Sequence, residues 1–362
     1  MPKHVCFHVG LPKTGTTTIQ RYLRSQDKQL RLLGFLYPGR GEHEVIHTHK
    51  HPLITNAMRG KAKAPSKGLD VQASREVVAL TFRKFQDSGL EHLIWSHEGM
   101  ALSARNWDAE YLGRLLDGAD VRIVFFARYT DDWVDSLYKQ KIWARAGRRA
   151  EMLYDKPLRP LARLPGRIKG EAARPDKSML ETGAKVIGAL RIMRKILPSA
   201  DIVVRSFDTH REKGKVVSGA LEAMGVPVEG FPDADDEAGV RNPTKSDLYS
   251  MLLYHLVTAQ AGLDVIHDVA AAARKRGEEG LEFEPLRDRR FRFLSDEDVM
   301  QARGYYEELR QEYPDLPVQP PHVSKPGERC LPRDEGVAVL DWLRPDISDA
   351  IFAKACAAYP PI

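Results

Sequence analysis

Val5-Cys6-Phe7-His8-Val9-Gly10-Leu11-Pro12-Lys13-Thr14-Gly15-Thr16-Thr17-Thr18-Ile19-Gln20-Arg21-Tyr22 decides the fold of this chain. Val5, Phe7 and Val9 alternate as in a β-strand, two glycines then bracket a loop, and Ile19, Tyr22 and Leu23 follow at helical spacing. The pattern is strand, loop, helix. Gly10 and Gly15 let the backbone turn tightly and aim successive N–H groups at one point, which the positive end of the new helix also favours for an anion. Thr16, Thr17 and Thr18 bring hydroxyls to the first helical turn, as phosphate ligands or as ordinary caps. Lys13 supplies a point charge. A phosphate-binding loop is the expectation, although a Walker A motif would carry lysine directly after the second glycine, where this chain has Thr16.

The rest of the 362 residues suits one large α/β domain, or one domain with a sizeable appendage. A hydrophobic share of 43% with 29% charged residues is that of a folded globular protein. Fifty-five Lys and Arg against fifty Asp and Glu leave a net charge of +5, which suits an anionic ligand and falls short of a nucleic-acid footprint. Cys6, Cys330 and Cys356 are too few and too scattered for a disulfide framework, so a reducing compartment is expected. With the first strand almost at Met1 and no apolar run near the roughly 18–20 residues of a membrane span, a cytoplasmic protein is expected.

Along the chain, a helix is expected from Thr16 to about Leu33, then a short extended piece at Phe35-Leu36-Tyr37. Residues 41–68, polar and rich in His and Lys, read as a functional or mobile loop outside the core. His47, His49 and His51 would share a face of an extended chain there, but the carboxylates or cysteines of a zinc site do not accompany them, and no metal is expected. A helix over 72–88 leads to a buried strand, Leu93-Ile94-Trp95, ending in Ser96-His97-Glu98. After a helix over 108–116, Val121 to Ala127 reads as a central parallel strand that ends at Arg128. The next helix starts near Asp131 and carries Ser136. Residues 139–177 hold twelve Lys or Arg against four acids and are broken by Pro157, Pro160, Pro165 and Pro175, the pattern of a basic, irregular excursion. Helix (180–196), strand (201–205) and helix (215–224) then complete the sheet. The expected organisation is an α/β core over 1–245, a central parallel sheet with helices on both faces, followed by a mainly helical region over 246–362.

Two motifs carry a family resemblance. Pro12-Lys13-Thr14-Gly15-Thr16-Thr17 resembles the 5′-phosphosulfate loop of sulfotransferases that use 3′-phosphoadenosine 5′-phosphosulfate (PAPS). Val124-Phe125-Phe126-Ala127-Arg128-Tyr129-Thr130-Asp131-Asp132-Trp133-Val134-Asp135-Ser136-Leu137-Tyr138 resembles their 3′-phosphate motif, in which a strand-end Arg and a Ser eight residues later bind that phosphate. Tyr129-Thr130 stands where many relatives have Asn-Pro, which changes the turn and keeps the ligands. The resemblance covers residues 4–225 in organisation and implies the P-loop-like sulfotransferase fold.

It also implies roles. Lys13 would meet charge on the bridging phosphate oxygen, Thr14, Gly15, Thr16, Thr17 and Thr18 would hold the 5′-phosphate, and Arg128 and Ser136 the 3′-phosphate. Arg241 is a weaker match to a late loop that adds contacts there. The base that deprotonates the acceptor would be Glu98, narrowly ahead of His97, with Glu42, Glu44 and His51 in reserve. The acceptor is a hydroxyl or amine; the basic stretch suits an acidic glycan or glycolipid, and a small phenol or alcohol also fits. A P-loop kinase would need a lysine after Gly15 and an acidic magnesium ligand at a strand end. A non-catalytic nucleotide-binding module would keep the phosphate ligands without the base.

Overall fold

A computed structural model describes residues 3–39, 51–60, 70–146, 177–231, 234–238, 247–259, 261–286, 293–294, 296–320 and 331–359. In chain order the elements are β1 (Lys3–His8), α1 (Thr16–Ser25), α2 (Asp27–Leu32), β2 (Phe35–Leu36), α3 (Pro52–Ala57), α4 (Val71–Asp87), β3 (His92–Ser96), α5 (Gly99–Ser103), α6 (Ala109–Leu115), β4 (Ala119–Ala127) and α7 (Thr130–Ala146). There follow α8 (Lys177–Ile196), β5 (Asp201–Ser206), α9 (Phe207–Glu212), α10 (Val216–Met224) and α11 (Ala234–Ala238). The last are α12 (Asp247–Thr258), α13 (Leu263–Glu278), α14 (Asp296–Glu312), α15 (Arg333–Leu343) and α16 (Asp349–Ala358).

The described residues fall into two units, one within Met1–Tyr129, Thr182–Pro243 and Tyr305–Gln319, the other within Thr130–Glu181, Thr244–Gly304 and Pro320–Ile362. The first holds a parallel sheet in the order β2-β3-β1-β4-β5. Parallel strands need crossovers, and these put cover on both faces. The strand sequences show it. Cys6, Ile94, Val124 and Phe126 pack with Ile19, Tyr22 and Leu23 of α1 and Val217, Leu221 and Met224 of α10. The residues of opposite parity, Val5, Phe7, Leu93, Trp95, Ile123 and Phe125, are equally buried. Each large apolar side chain so placed contributes roughly 1.5–3 kcal/mol. This is the α/β architecture expected from the sequence.

The strand order fixes where a ligand can go. From β1 the chain runs outward through α1 to β2, whereas β4 and β5 lie on the other side of β1. The sheet therefore changes direction between β1 and β4, and in open α/β sheets the crevice beyond the carboxyl ends at that point is where ligands bind. The loop after β1 and Arg128 after β4 both leave the sheet there.

The second unit is helical in its described residues. The end of α7 is tied to α12 by the Trp143 indole N–H donating to Ser250 Oγ at 2.9 Å, and Tyr138, Tyr254 and Phe293 stack beside it. The helical C-terminal region expected from the sequence is present. Among the described residues no helix is long and apolar enough to cross a membrane.

Three local expectations are corrected. The helix from Thr16 breaks at Gln26, whose backbone leaves helical geometry as its N–H closes α1 on the Tyr22 carbonyl; Asp27 then opens α2 and pairs with Arg31 at 3.2 Å. Within the segment read as a loop, α3 buries Leu53, Ile54 and Ala57, because six residues are too short to display a helical period. In the basic stretch, α7 continues through residues 139–146 with Ile142 and Trp143 buried, and residues 147–176 lie outside the described ones.

The sheet core sets an expected outcome. Phe126 is fully buried between the sheet and the α1 and α10 face. Phe126→Ala should cost about 3–5 kcal/mol in the unfolding of the first unit, read from urea denaturation; a loss below about 1 kcal/mol would contradict this packing.

Candidate functional site

The loop after β1 is braced from inside. Thr14 and Thr16 are buried, and both hydroxyls donate to the Leu11 carbonyl, at 2.7 and 3.1 Å. Gly15 takes a left-handed backbone at φ 70° and its carbonyl accepts the Ile19 N–H, which starts α1. The N–H groups of Thr16, Thr17 and Thr18 thus belong to the turn that has no partners within its own helix. Thr17 and Thr18 are half-buried. A Cβ on Gly10 would lie 2.6 Å from Thr16 Oγ1 and 3.2 Å from His8 Nε2, so the loop closes over this position only because it is glycine.

Lys13 is the one described non-glycine residue with positive φ, at 68°. Such a conformation persists where surrounding structure enforces it, and it gathers at ligand sites. Here the enforcing contact is Arg128, whose Nη1 donates to the Lys13 carbonyl at 3.0 Å. The β1–β4 pairing brings the two together: His8 lies opposite Val124, and the Val9 N–H donates to the Val124 carbonyl at 3.0 Å.

Arg128 is held from its other side by Asp208 of α9. This carboxylate is fully buried; Oδ2 accepts the Tyr129 N–H at 2.7 Å, and Oδ1 lies 3.7 Å from Arg128 Nε and 3.2 Å from Arg211 Nη2. Phe207 rests against Gly15, with a ring carbon 3.0 Å from where a Cβ there would stand.

Beneath the loop runs a buried polar chain. His8 Nδ1 and Ser96 Oγ are 2.7 Å apart, and Gln20 Nε2 donates to the same hydroxyl at 3.1 Å, joining β1, β3 and α1. Burial holds the His8 imidazole down to about 4, so it is neutral at physiological pH.

On the other side of β1, the His97 N–H donates to the His8 carbonyl at 3.2 Å, so His97 and Glu98 leave β3 beside the start of the loop. The Gly99 N–H donates to His97 Nδ1 at 3.2 Å, which requires that nitrogen to be unprotonated, and the Thr55 hydroxyl donates to it at 2.7 Å. The ring proton therefore sits on Nε2, and neutral His97 presents a donor. Glu98 is half-buried at the start of α5 and makes no capping hydrogen bond to that helix. His51 has both nitrogens engaged: Nδ1 accepts the Ser96 N–H at 2.9 Å and Nε2 faces the Pro38 carbonyl at 3.0 Å. It holds the end of β3 and offers no lone pair to a metal or a substrate.

The structure thus brings Lys13, Thr14, Gly15, Thr16 and Arg128 together, with His97 and Glu98 one strand away. Ser136 lies half-buried near the start of α7, in the second unit. Glu42, Glu44, His47, His49 and Arg241 lie outside the described residues. Among the described residues no group of three or more His, Cys, Asp or Glu could hold a metal ion. Sequence reasoning missed His8, Gln20 and Asp208. The first had a signal, since it lies within an otherwise apolar strand that is buried on both faces; Asp208 follows a strand end, and its partner Arg128 is 80 positions distant, where no spacing rule reaches.

No family model matches this chain, and no curated protein matches it. Among solved structures it is similar to the crystal structure of a sulfotransferase from Alicyclobacillus acidocaldarius. The identity is 12% and the TM-score 0.35, over 79% of this chain and all of that one.

The buried histidine fixes a pH dependence. Unfolded, His8 takes up its proton near pH 6.5; folded, only near 4. Between those values the unfolded chain binds more protons, so stability that is whole above pH 6.5 falls as the pH drops toward 4, by about 3 kcal/mol from this residue. Urea midpoints from pH 7 to pH 4 should show the decline, and His8→Gln should flatten part of it; identical slopes would contradict the burial.

Proposed function

We propose that this chain is a sulfotransferase that takes the sulfuryl group of PAPS to a hydroxyl or amine of an acceptor. The observation that carries the reading is the Arg128 bond to the Lys13 carbonyl at the carboxyl edge between β1 and β4. A loop lysine and a strand-end arginine, the residues on which the family resemblance rests, meet where this sheet admits a ligand.

The donor set fits the cofactor. Gly10 and Gly15 let the loop pack against Thr16, His8, Val216 and Phe207 and so start α1 with its backbone N–H groups at the loop, Lys13 adds a charge, and the guanidinium fork of Arg128 is suited to a phosphate. Bound PAPS would supply a sulfuryl group on a phosphate leaving group. The N–H groups of the loop and first helical turn would hold the 5′-phosphate, and the Lys13 ammonium would offset charge that grows on the bridging oxygen. In such transfers positioning and electrostatic stabilisation do most of the work. The inward hydrogen bonds of Thr14 and Thr16 give them a bracing role, leaving the Thr17 and Thr18 hydroxyls as the side-chain ligands. The roles of Ser136 and Arg241 rest on the resemblance alone.

Glu98 is the base in this reading, its carboxylate taking the acceptor proton, while His97 orients the acceptor through Nε2–H. An acidic glycan or glycolipid suits the basic stretch 139–177, and a cytoplasmic location suits the cysteine content. Thr16 directly after Gly15 counts against a P-loop kinase.

Titration calorimetry with adenosine 3′,5′-bisphosphate, AMP and ATP-Mg²⁺ tests the cofactor. The bisphosphate should bind at least 10-fold more tightly than AMP, and Arg128→Ala should remove that margin, on the order of 2 kcal/mol for a charge-assisted contact. Preference for ATP-Mg²⁺, or indifference to the 3′-phosphate, would overturn the reading.

A further inference from the structure

Asp208 and Arg211 are named by neither sequence motif, yet they stand around Arg128. Asp208 has no exposed surface and follows β5 on α9, and its Oδ2 accepts the N–H of Tyr129, the residue immediately after Arg128. Its Oδ1 lies 3.7 Å from Arg128 Nε and 3.2 Å from Arg211 Nη2. Both guanidinium groups lie 5.7 Å from the centre of the Phe207 ring, and Phe207 abuts Gly15 of the loop. Two arginines thus converge on one carboxylate beside a loop built for anions. The three side chains together carry one surplus positive charge, and the Arg211 side chain is 44% exposed, open to a ligand from solvent.

The buried pair, Arg128 and Asp208, is balanced, and the surplus positive charge sits on the exposed Arg211, where an anion from solvent can meet it. We propose that Asp208 is the positioning residue of this anion site, aiming the Arg128 guanidinium, and that Arg211 is a second cation for the same group, a phosphate monoester of the bound nucleotide. This deepens the sulfotransferase reading and rests on it, the monoester being the 3′-phosphate. The fork of Arg128 is anchored by a hydrogen bond from Nη1 to the Lys13 carbonyl and attracted at Nε by the Asp208 charge 3.7 Å away. A planar guanidinium fixed this way loses little further freedom when it binds phosphate. The Asp208 bond to the Tyr129 N–H fixes the backbone from which Arg128 projects.

Calorimetry on the full chain tests this, through the ratio of affinities for adenosine 3′,5′-bisphosphate and AMP. Asp208→Asn keeps an oxygen for the Tyr129 N–H and loses the charge that holds Arg128; it should lower the ratio about 10-fold or more. Arg211→Ala should lower it about 3- to 10-fold, with AMP binding little changed. A purely structural role would weaken both ligands alike and leave the ratio unmoved. Should Asp208→Asn fail to fold, the half-exposed Arg211→Ala carries the test. If wild type prefers the bisphosphate and the folded variants keep its ratio, the proposal falls and the sulfotransferase reading stands. Tighter bisphosphate binding by Asp208→Asn would mean the carboxylate merely repels, and also overturns the proposal. A wild type indifferent to the 3′-phosphate overturns the reading and the proposal together.

Discussion

The left-handed turn at Lys13 is the constraint on which the site depends. A side chain at φ 68° is unfavourable and needs surrounding structure to enforce it. One contact that holds it is remote in sequence: the Arg128 guanidinium donates to the Lys13 carbonyl and has the buried carboxylate of Asp208 beside it. The parallel pairing of β1 with β4 is the precondition, because it sets the end of β1 opposite Val124, from where β4 runs on past the start of the loop to Ala127 and Arg128. Sheet topology, backbone strain and binding chemistry are in this way one arrangement.

A second consequence is rigidity in the neighbouring groups. Thr14 and Thr16 turn inward to the Leu11 carbonyl, Gln20 and His8 meet at Ser96, and His51 fastens Ser96 from its backbone. These contacts use side chains that would be hydrated in an open loop, and their burial is tolerable because hydrogen bonds replace the water. The backbone N–H groups of the first helical turn are thereby held in place by contacts within the protein itself.

Much of this was legible in the chain. The strands around Ile94 and Val124 announce themselves by runs of apolar residues and the one around Phe7 by its alternation, and the glycine spacing at 10 and 15 announces the loop, because these are local patterns with a single physical cause. The break at Gln26 and the short helix at Pro52–Ala57 were not, since each is decided by tertiary packing over a few residues. Within the site, the sequence separated candidate ligands from the rest but not ligands from braces. Whether the hydroxyl of Thr16 faces an anion or the Leu11 carbonyl, and whether His97 carries its proton on Nε2, depend on partners that no spacing rule names. Asp208 escaped notice for the same reason.

The central claim is that one nucleotide is gripped by its two phosphate ends, the loop at one and the Arg128 cluster at the other. Phosphorus NMR of adenosine 3′,5′-bisphosphate bound to the full chain addresses it directly, because the two phosphates give separate resonances. The account predicts that both shift on binding and that both phosphates titrate at lower pH than in free nucleotide, as contact with cations and oriented N–H donors requires. A 3′-phosphate that keeps its free shift and titration while the 5′-phosphate is perturbed would contradict it.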